Sequence, residues 1–255
     1  MTITHPAGVR TAVATATGGS GITGDATYIH TLADGTSAAC LVDGIGHSPW
    51  ITNRAAFLAE VAARIGATRG PVLGLLAAAD TISDPGPPSL PEEDAVAVIA
   101  TVHPDRPEVA VAWTGDCAAW GISPTTGEVA CLTADQSMGR FLRTVNPGGP
   151  PEVAAHHDRW VRVSLARSSI ATVMEVEADF PLVVLASDGA YQPLGSAFAD
   201  VVRRLAHASP QELADGLLDS ALACAQQQPG ERDDATVLVL AVPEGAPWRP
   251  LSPRR

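Results

Sequence analysis

Ala39-Cys40-Leu41-Val42-Asp43-Gly44-Ile45-Gly46-His47 begins as an apolar run that reads as a buried strand and stops abruptly at Asp-Gly. A carboxylate at the tip of a buried strand faces a desolvation cost unless a cation or strong donor neutralises it. The two glycines let the backbone turn tightly and present a carbonyl beside that carboxylate. Carboxylate and carbonyl oxygens together suit a hard divalent cation such as Mg²⁺ or Mn²⁺. Asp-Gly is equally a common hairpin turn, so the stretch needs support from its surroundings.

Working back from Asp43, residues 36–42 form the strand and Asp34-Gly35 gives a hairpin signal. Residues 25–32 alternate with period two and form the preceding strand. A two-residue turn would then bring Asp25 and Asp43 to the same end of neighbouring antiparallel strands. Upstream, residues 9–17 read as a strand running into Gly18-Gly19-Ser20-Gly21-Ile22-Thr23-Gly24, which contains a G-x-G-x-x-G match. A dinucleotide site requires a helix after the last glycine, and a strand follows here. A phosphate-binding P-loop fails as well, because the chain has no Lys. The glycines are better read as a tight connection delivering Asp25 to its strand.

Forward from Asp43 the period becomes helical. Ala55, Leu58, Ala59, Val61, Ala62 and Ile65 share one face, with Gly66 near the end. Residues 71–82 give a second helix, and the Pro-rich residues 83–91 a surface loop. Residues 95–103, 108–114, 118–123 and 129–132 are β-like. Residues 144–159, which include Asn146-Pro147-Gly148-Gly149-Pro150-Pro151, show no clear period and read as a long loop with one helical turn at most. Strands follow at 170–176 and 182–186, and a helix at 197–207. Ser209-Pro210-Gln211-Glu212 then opens a second helix with a capping box. A last apolar strand spans 235–242. Strands in clusters separated by paired helices favour an α+β architecture with antiparallel sheets. Residues 9–242 are expected to form a single domain with a flap at about 140–168, between a tail at 1–8 and a disordered Pro/Arg-rich tail at 243–255.

Composition narrows the function classes. All 16 basic residues are Arg, and the formal net charge of −12 argues against nucleic acid or an anionic membrane as partner. Cys40, Cys117, Cys131 and Cys224 show no CxxC spacing and read as reduced, buried, structural residues. No apolar run reaches the ~18 residues of a membrane span, and no leader opens the chain. The expectation is a soluble, cytoplasmic monomer.

Asp25, Asp43, Asp116, Asp188 and Asp233 each border a strand, usually beside Gly. One such Asp is most often a turn former; five on an acidic chain point to an all-oxygen site that selects Mg²⁺ or Mn²⁺ over Zn²⁺. In this order the motifs resemble those of the metal-dependent serine/threonine protein phosphatases, the PPM family, particularly its bacterial members. Asp43-Gly44-Ile45-Gly46-His47 resembles the family's D-G-x-G-G, Gly115-Asp116-Cys117-Ala118 its G-D-S-R, and Ser187-Asp188-Gly189 its S-D-G. Asp233-Asp234-Ala235-Thr236-Val237 resembles its closing D-N-x-[ST]-V, and Thr23-Gly24-Asp25 its N-E-D. The stretch from Leu132-Thr133-Ala134-Asp135-Gln136-Ser137 to Arg167 is similar to its L-T-x-D-H-S and flap region.

The resemblance implies a β-sandwich of two antiparallel sheets flanked by helices on both sides, a four-layer αββα fold, with a dinuclear Mn²⁺ or Mg²⁺ centre at one end. Asp43 would bridge the metals and Asp25 would hold them mainly through water. The Gly44 carbonyl would ligate one metal, Asp188 and Asp233 would complete the other, and Asp116 would serve a third, weaker position. The implied activity is hydrolysis of phosphoserine and phosphothreonine in proteins by a metal-activated water, within signalling that involves a cognate Ser/Thr kinase. The alternative is a catalytically weak module that binds a phosphoprotein or kinase for regulation. Four departures matter. Ser20 stands where the family has a phosphate-docking Arg, so Ser20→Arg is expected to raise kcat/KM about tenfold, with Arg140, Arg143 or Arg159 as flap substitutes. Ile45 stands where eukaryotic members have a His general acid, and His47, two residues on, is the candidate to face the metals. Thr23-Gly24 replaces Asn-Glu. Asp234 replaces Asn, which adds a negative charge.

Overall fold

The computed structural model describes residues 8–46, 50–82 and 94–242. The calls on His47, on the loop at 83–91 and on most of both tails lie outside them. Ten strands form two antiparallel five-stranded sheets. One sheet orders β1 (Arg10–Ala16), β10 (Ala235–Ala241), β9 (Leu182–Ala186), β6 (Ala118–Ser123) and β7 (Glu128–Cys131). The other orders β2 (Asp25–Thr31), β3 (Ser37–Ile45), β4 (Asp94–Val102), β5 (Val109–Thr114) and β8 (Met174–Ala178).

Period-two alternation assigns each strand two faces, and in central strands such as β3, β4, β9 and β10 both are apolar because both are covered. On β3, Ala39 and Leu41 pack toward the other sheet with Val96, Val98, Leu185, Leu238 and Leu240. Ala38, Cys40 and Val42 pack outward onto α1 (Ile51–Arg69) and α2 (Pro71–Asp80). The first sheet uses its outward row, with Trp120, Val184 and Val237, against α6 (Phe198–Leu205) and α7 (Pro210–Ala225). Helix, sheet, sheet and helix make the four layers. Each fully buried Leu or Val contributes about 1.5–3 kcal/mol, and α7 carries the complete capping box of Ser209 and Glu212.

Several local expectations are corrected. Gly66 lies near the end of α1, as expected, but as a packing residue: a Cβ there would lie 2.5 Å from Ile99 Cδ1, and the helix runs on to Arg69. The hairpin at Asp34-Gly35 is a five-residue connection, since Thr31 pairs with Ser37. Residues 144–159 are not one continuous loop: α3 (Met138–Val145), capped by Ser137 Oγ, runs into them and α4 (Pro151–His156), which starts on Pro, interrupts them, while 146–150 and 157–159 stay outside helices. The strand expected at 170–176 begins only at Met174. Ser169 and Thr172 instead close a turn, in which the Thr172 and Val173 N–H groups donate to the Ser169 carbonyl at 2.9 Å. Cys131 is exposed and Cys224 half-buried, whereas Cys40 and Cys117 are buried as expected.

Candidate metal centre

The five-residue turn sets the register on which the site depends. Thr31 opposite Ser37 places Asp25 opposite Asp43, whereas a two-residue turn at Asp34-Gly35 would have put Gly44 there. A one-residue slip would also turn a strand's side chains to the other face. As built, Asp25 shares the face of Ile29, and Asp43 that of Ala39 and Leu41, all directed between the sheets. The two carboxylates therefore cap the inter-sheet core at one end. β3 continues past Asp43 to Ile45, so Gly44 remains in the sheet, its N–H donating to the Gly24 carbonyl at 3.1 Å.

The other expected residues arrive at the same end from connections. Asp116 is buried in the turn between β5 and β6. Gly115 there has φ +90°, and a Cβ would lie 2.1 Å from Val96 Cγ1, so only glycine fits. Asp188 begins α5 (Asp188–Tyr191) directly after β9, and Asp233 precedes β10. A Cβ on Gly189 would lie 2.0 Å from the Asp234 carbonyl, so these two connections pack backbone to backbone. Asp43, Gly44, Asp116, Asp188 and Asp233 line one cleft of about 570 Å³. Asp25 lies beneath it.

Their electrostatics follow from crowding. Burial lifts Asp25 to about 7, against hydrogen bonds that pull it down. Burial, then Asp25, Asp188 and Asp116, pushes Asp43 well above the usual carboxylate range. Asp188 rises to about 8 through burial, then Asp116 and Asp233. Asp116 rises to about 6 through burial, then Asp135. Among the described residues, no three acidic, His or Cys side chains close on one point tightly enough to define an ion position. Asp25 Oδ1 is buried without a partner, as is Thr114 Oγ1 two residues before Asp116. An all-oxygen donor set with an unpartnered buried carboxylate oxygen fits a hard divalent cation.

Raised carboxylate pKa values make the metal-free protein more stable in acid. From an ordinary value of 3.8, groups lifted to about 6–8 hold protons in the folded state that the unfolded chain has already released. Their contribution is fully present below about pH 4 and is lost as pH rises through the folded values. The metal-free Tm should therefore fall between pH 5.5 and pH 8, by about 2–4 °C per kcal/mol lost. Calorimetry in chelator over that range checks this, and a flat or rising Tm would contradict it.

Three supporting residues, Ser187, Gln136 and Tyr191, were given no role from sequence, and a fourth, Asp234, was read only as an added charge. Ser187 Oγ donates to Asp25 Oδ2 at 2.7 Å and accepts the Thr236 N–H at 2.9 Å, tying the two sheets together under the site. Gln136 Oε1 accepts the Gly115 N–H at 2.7 Å, while its Nε2 donates to the Thr172 carbonyl. Tyr191 donates to the Asp116 carbonyl at 2.8 Å. Asp234, whose place in the motif adds a negative charge, accepts the Gly18 and Gly24 N–H groups, each at 2.6 Å. The available signal was their place inside the motifs, since Ser187 precedes Asp188 and Asp234 follows Asp233.

No family model and no curated protein sequence matches the chain. Solved structures do. A serine/threonine phosphatase of S. agalactiae is similar with TM-score 0.75 at 16% identity, covering 92% of this chain and 99% of that one. The PPM Ser-Thr phosphatase MsPP from Mycobacterium smegmatis, in complex with cacodylate, gives 0.70 at 19%, covering 92% and 100%. The catalytic domain of the phosphatase PstP in complex with two manganese ions gives 0.70 at 17%, covering 91% and 97%. The chain has the PPM phosphatase fold. The family resemblance read from the motifs thus extends to the architecture. In the PPM fold of this chain the five aspartates fall at one end of the sandwich, on connections from both sheets. Among the described residues no helix is long and apolar enough to cross a membrane.

Proposed function

We propose that this protein is a metal-dependent phosphatase acting on phosphoserine and phosphothreonine in proteins. The observation that carries the reading is Asp25 opposite Asp43 at the mouth of the sandwich, with Asp116, Asp188 and Asp233 around the same cleft. Asp43, the Gly44 carbonyl, Asp25, Asp188 and Asp233 would hold two Mn²⁺ or Mg²⁺ ions, and Asp116 a third, weaker one. When bound, such ions lower the pKa of water and stabilise charge on phosphoryl oxygens. The chain itself supplies the positioning. Ser187 orients Asp25 through its 2.7 Å hydrogen bond. Gln136 and Tyr191 hold the Gly115-Asp116 turn from two sides. Cys117 is buried, and burial raises its thiol pKa far above the usual range, so it serves packing and not nucleophilic attack. Arg159 and Val161, from the segment after α4, line the cleft, and a phosphopeptide would approach past them.

The test is release of phosphate from phosphoserine and phosphothreonine peptides with Mn²⁺ present or chelated. Turnover that depends on Mn²⁺ supports the reading. Absent turnover beside retained phosphopeptide binding would favour the regulatory alternative.

A further inference from the structure

Under the phosphatase reading, a phosphate dianion must enter a cleft lined by Asp43, Asp116, Asp188, Asp233, Asp234 and Glu231. Besides the metals, backbone amides of the glycine-rich loop or an arginine elsewhere could meet it, since Ser20 stands where the family has an arginine. Several of the loop amides are engaged. Gly18 and Gly24 donate to Asp234, Gly19 to the Arg232 carbonyl, and Ile22 to Ser20 Oγ. Of the flap arginines, Arg143 is held in a bidentate pair with Asp158, and neither it nor Arg140 lines the cleft. Two arginines do: Arg159 and Arg232.

Arg232 is the better anchored of the two. Its carbonyl accepts the Gly19 N–H at 2.8 Å, and its guanidinium donates to the Thr17 carbonyl, so both ends are tied to the glycine-rich segment beside Ser20. One of five guanidinium N–H donors is used in that bond. The residue borders both the carboxylate cleft and the adjoining groove lined by Gln192 and Gln228. A held planar fork loses little freedom when it grips two phosphate oxygens. Arg159 borders the same two spaces from the exposed turn after α4.

We infer that Arg232 is the guanidinium that docks the substrate phosphate, in place of the arginine missing at Ser20. This rests on the phosphatase reading, and the experiment separates the two. Inorganic phosphate is titrated calorimetrically into Mn²⁺-loaded protein and used as an inhibitor of phosphoserine-peptide turnover. Wild type is compared with Arg232→Ala, Arg232→Lys, Arg159→Ala and Ser20→Arg/Arg232→Ala, each checked for an intact melting transition. Arg232→Ala should weaken phosphate binding and raise KM about tenfold or more. Arg232→Lys, which keeps the charge but not the fork, should recover only part. Arg159→Ala should change either quantity less than about threefold, and Ser20→Arg should restore much of what Arg232→Ala loses. Turnover with phosphate affinity and KM unchanged in folded Arg232→Ala and Arg232→Lys would overturn the inference and leave the phosphatase reading intact. A larger loss in Arg159→Ala would overturn it in favour of the flap. Wild type without turnover, but with phosphate binding that Arg232→Ala removes, would support the docking role and remove the phosphatase reading.

Discussion

Asp43→Asn should abolish calorimetric Mn²⁺ binding at the shared position and lower kcat/KM by at least about a hundredfold, while the folded protein gains stability in the absence of metal. The two effects have one cause. Asp43 faces Asp25 in register and feels Asp188, Asp116 and Asp233, and burial with these neighbours pushes its carboxyl well above the usual range. In the metal-free protein at pH above the ordinary carboxylate range this group is therefore a liability, and a neutral isostere removes it. The gain should be largest at pH 8 and vanish toward pH 4, where the native carboxyl is already protonated. Under the proposed function the same charge would hold the cation, and an amide oxygen would be a poor substitute for it. Tm in chelator and in Mn²⁺, at pH 5.5 and 8, tests both halves. A folded Asp43→Asn protein that still binds Mn²⁺ as wild type does would refute the assignment.

Asp234→Ala should destabilise the protein by about 2–4 kcal/mol, and Asp234→Asn by roughly half that, although the PPM motif has Asn at this position. Both Asp234 oxygens accept backbone N–H groups at 2.6 Å, from Gly18 and Gly24. Asn offers one oxygen, and its NH₂ would face the second N–H donor to donor. The resulting loosening is local: the segment between Gly18 and Gly24 delivers Asp25 to β2, so Mn²⁺ affinity should drop with stability, on the order of the 10–100-fold seen when a ligand's support is removed. Denaturant unfolding and metal titration of the two variants measure this. Equal stability of Asp234→Asn and wild type would show that the second hydrogen bond contributes nothing.

Much of this was legible in the chain. Strand alternation, the Ser209–Glu212 capping box and the abrupt Asp-Gly endings are local signals, set within a few residues by backbone geometry and side-chain period. They placed most of the strands and long helices, and with the motif resemblance they anticipated the four-layer fold. They also brought Asp25 and Asp43 to the same end. The local errors have local reasons. Gly66 was placed near the helix end, but nothing in the sequence shows Ile99 pressed against it. Residues 138–156 hide two helices too short to display a period, and Ser169–Thr172 competes for backbone hydrogen bonds where a strand was expected.

What remained was decided by contacts between residues far apart in the chain. The parity of the turn after Thr31 set Asp25 against Asp43 instead of Gly44. Ser187 reaches Asp25 across 162 residues and from the opposite sheet. Asp234 closes on Gly18 across 216, and Arg232 ties itself to Thr17 across 215. No period or propensity encodes such pairs, because each depends on how two sheets stack and how their ends align. The sequence by itself determined which residues carry the charge and at which end of the fold they gather. Only the tertiary structure decided which of them are held, by what, and which arginine stands beside them, since hydrogen-bond partners are chosen by packing in three dimensions.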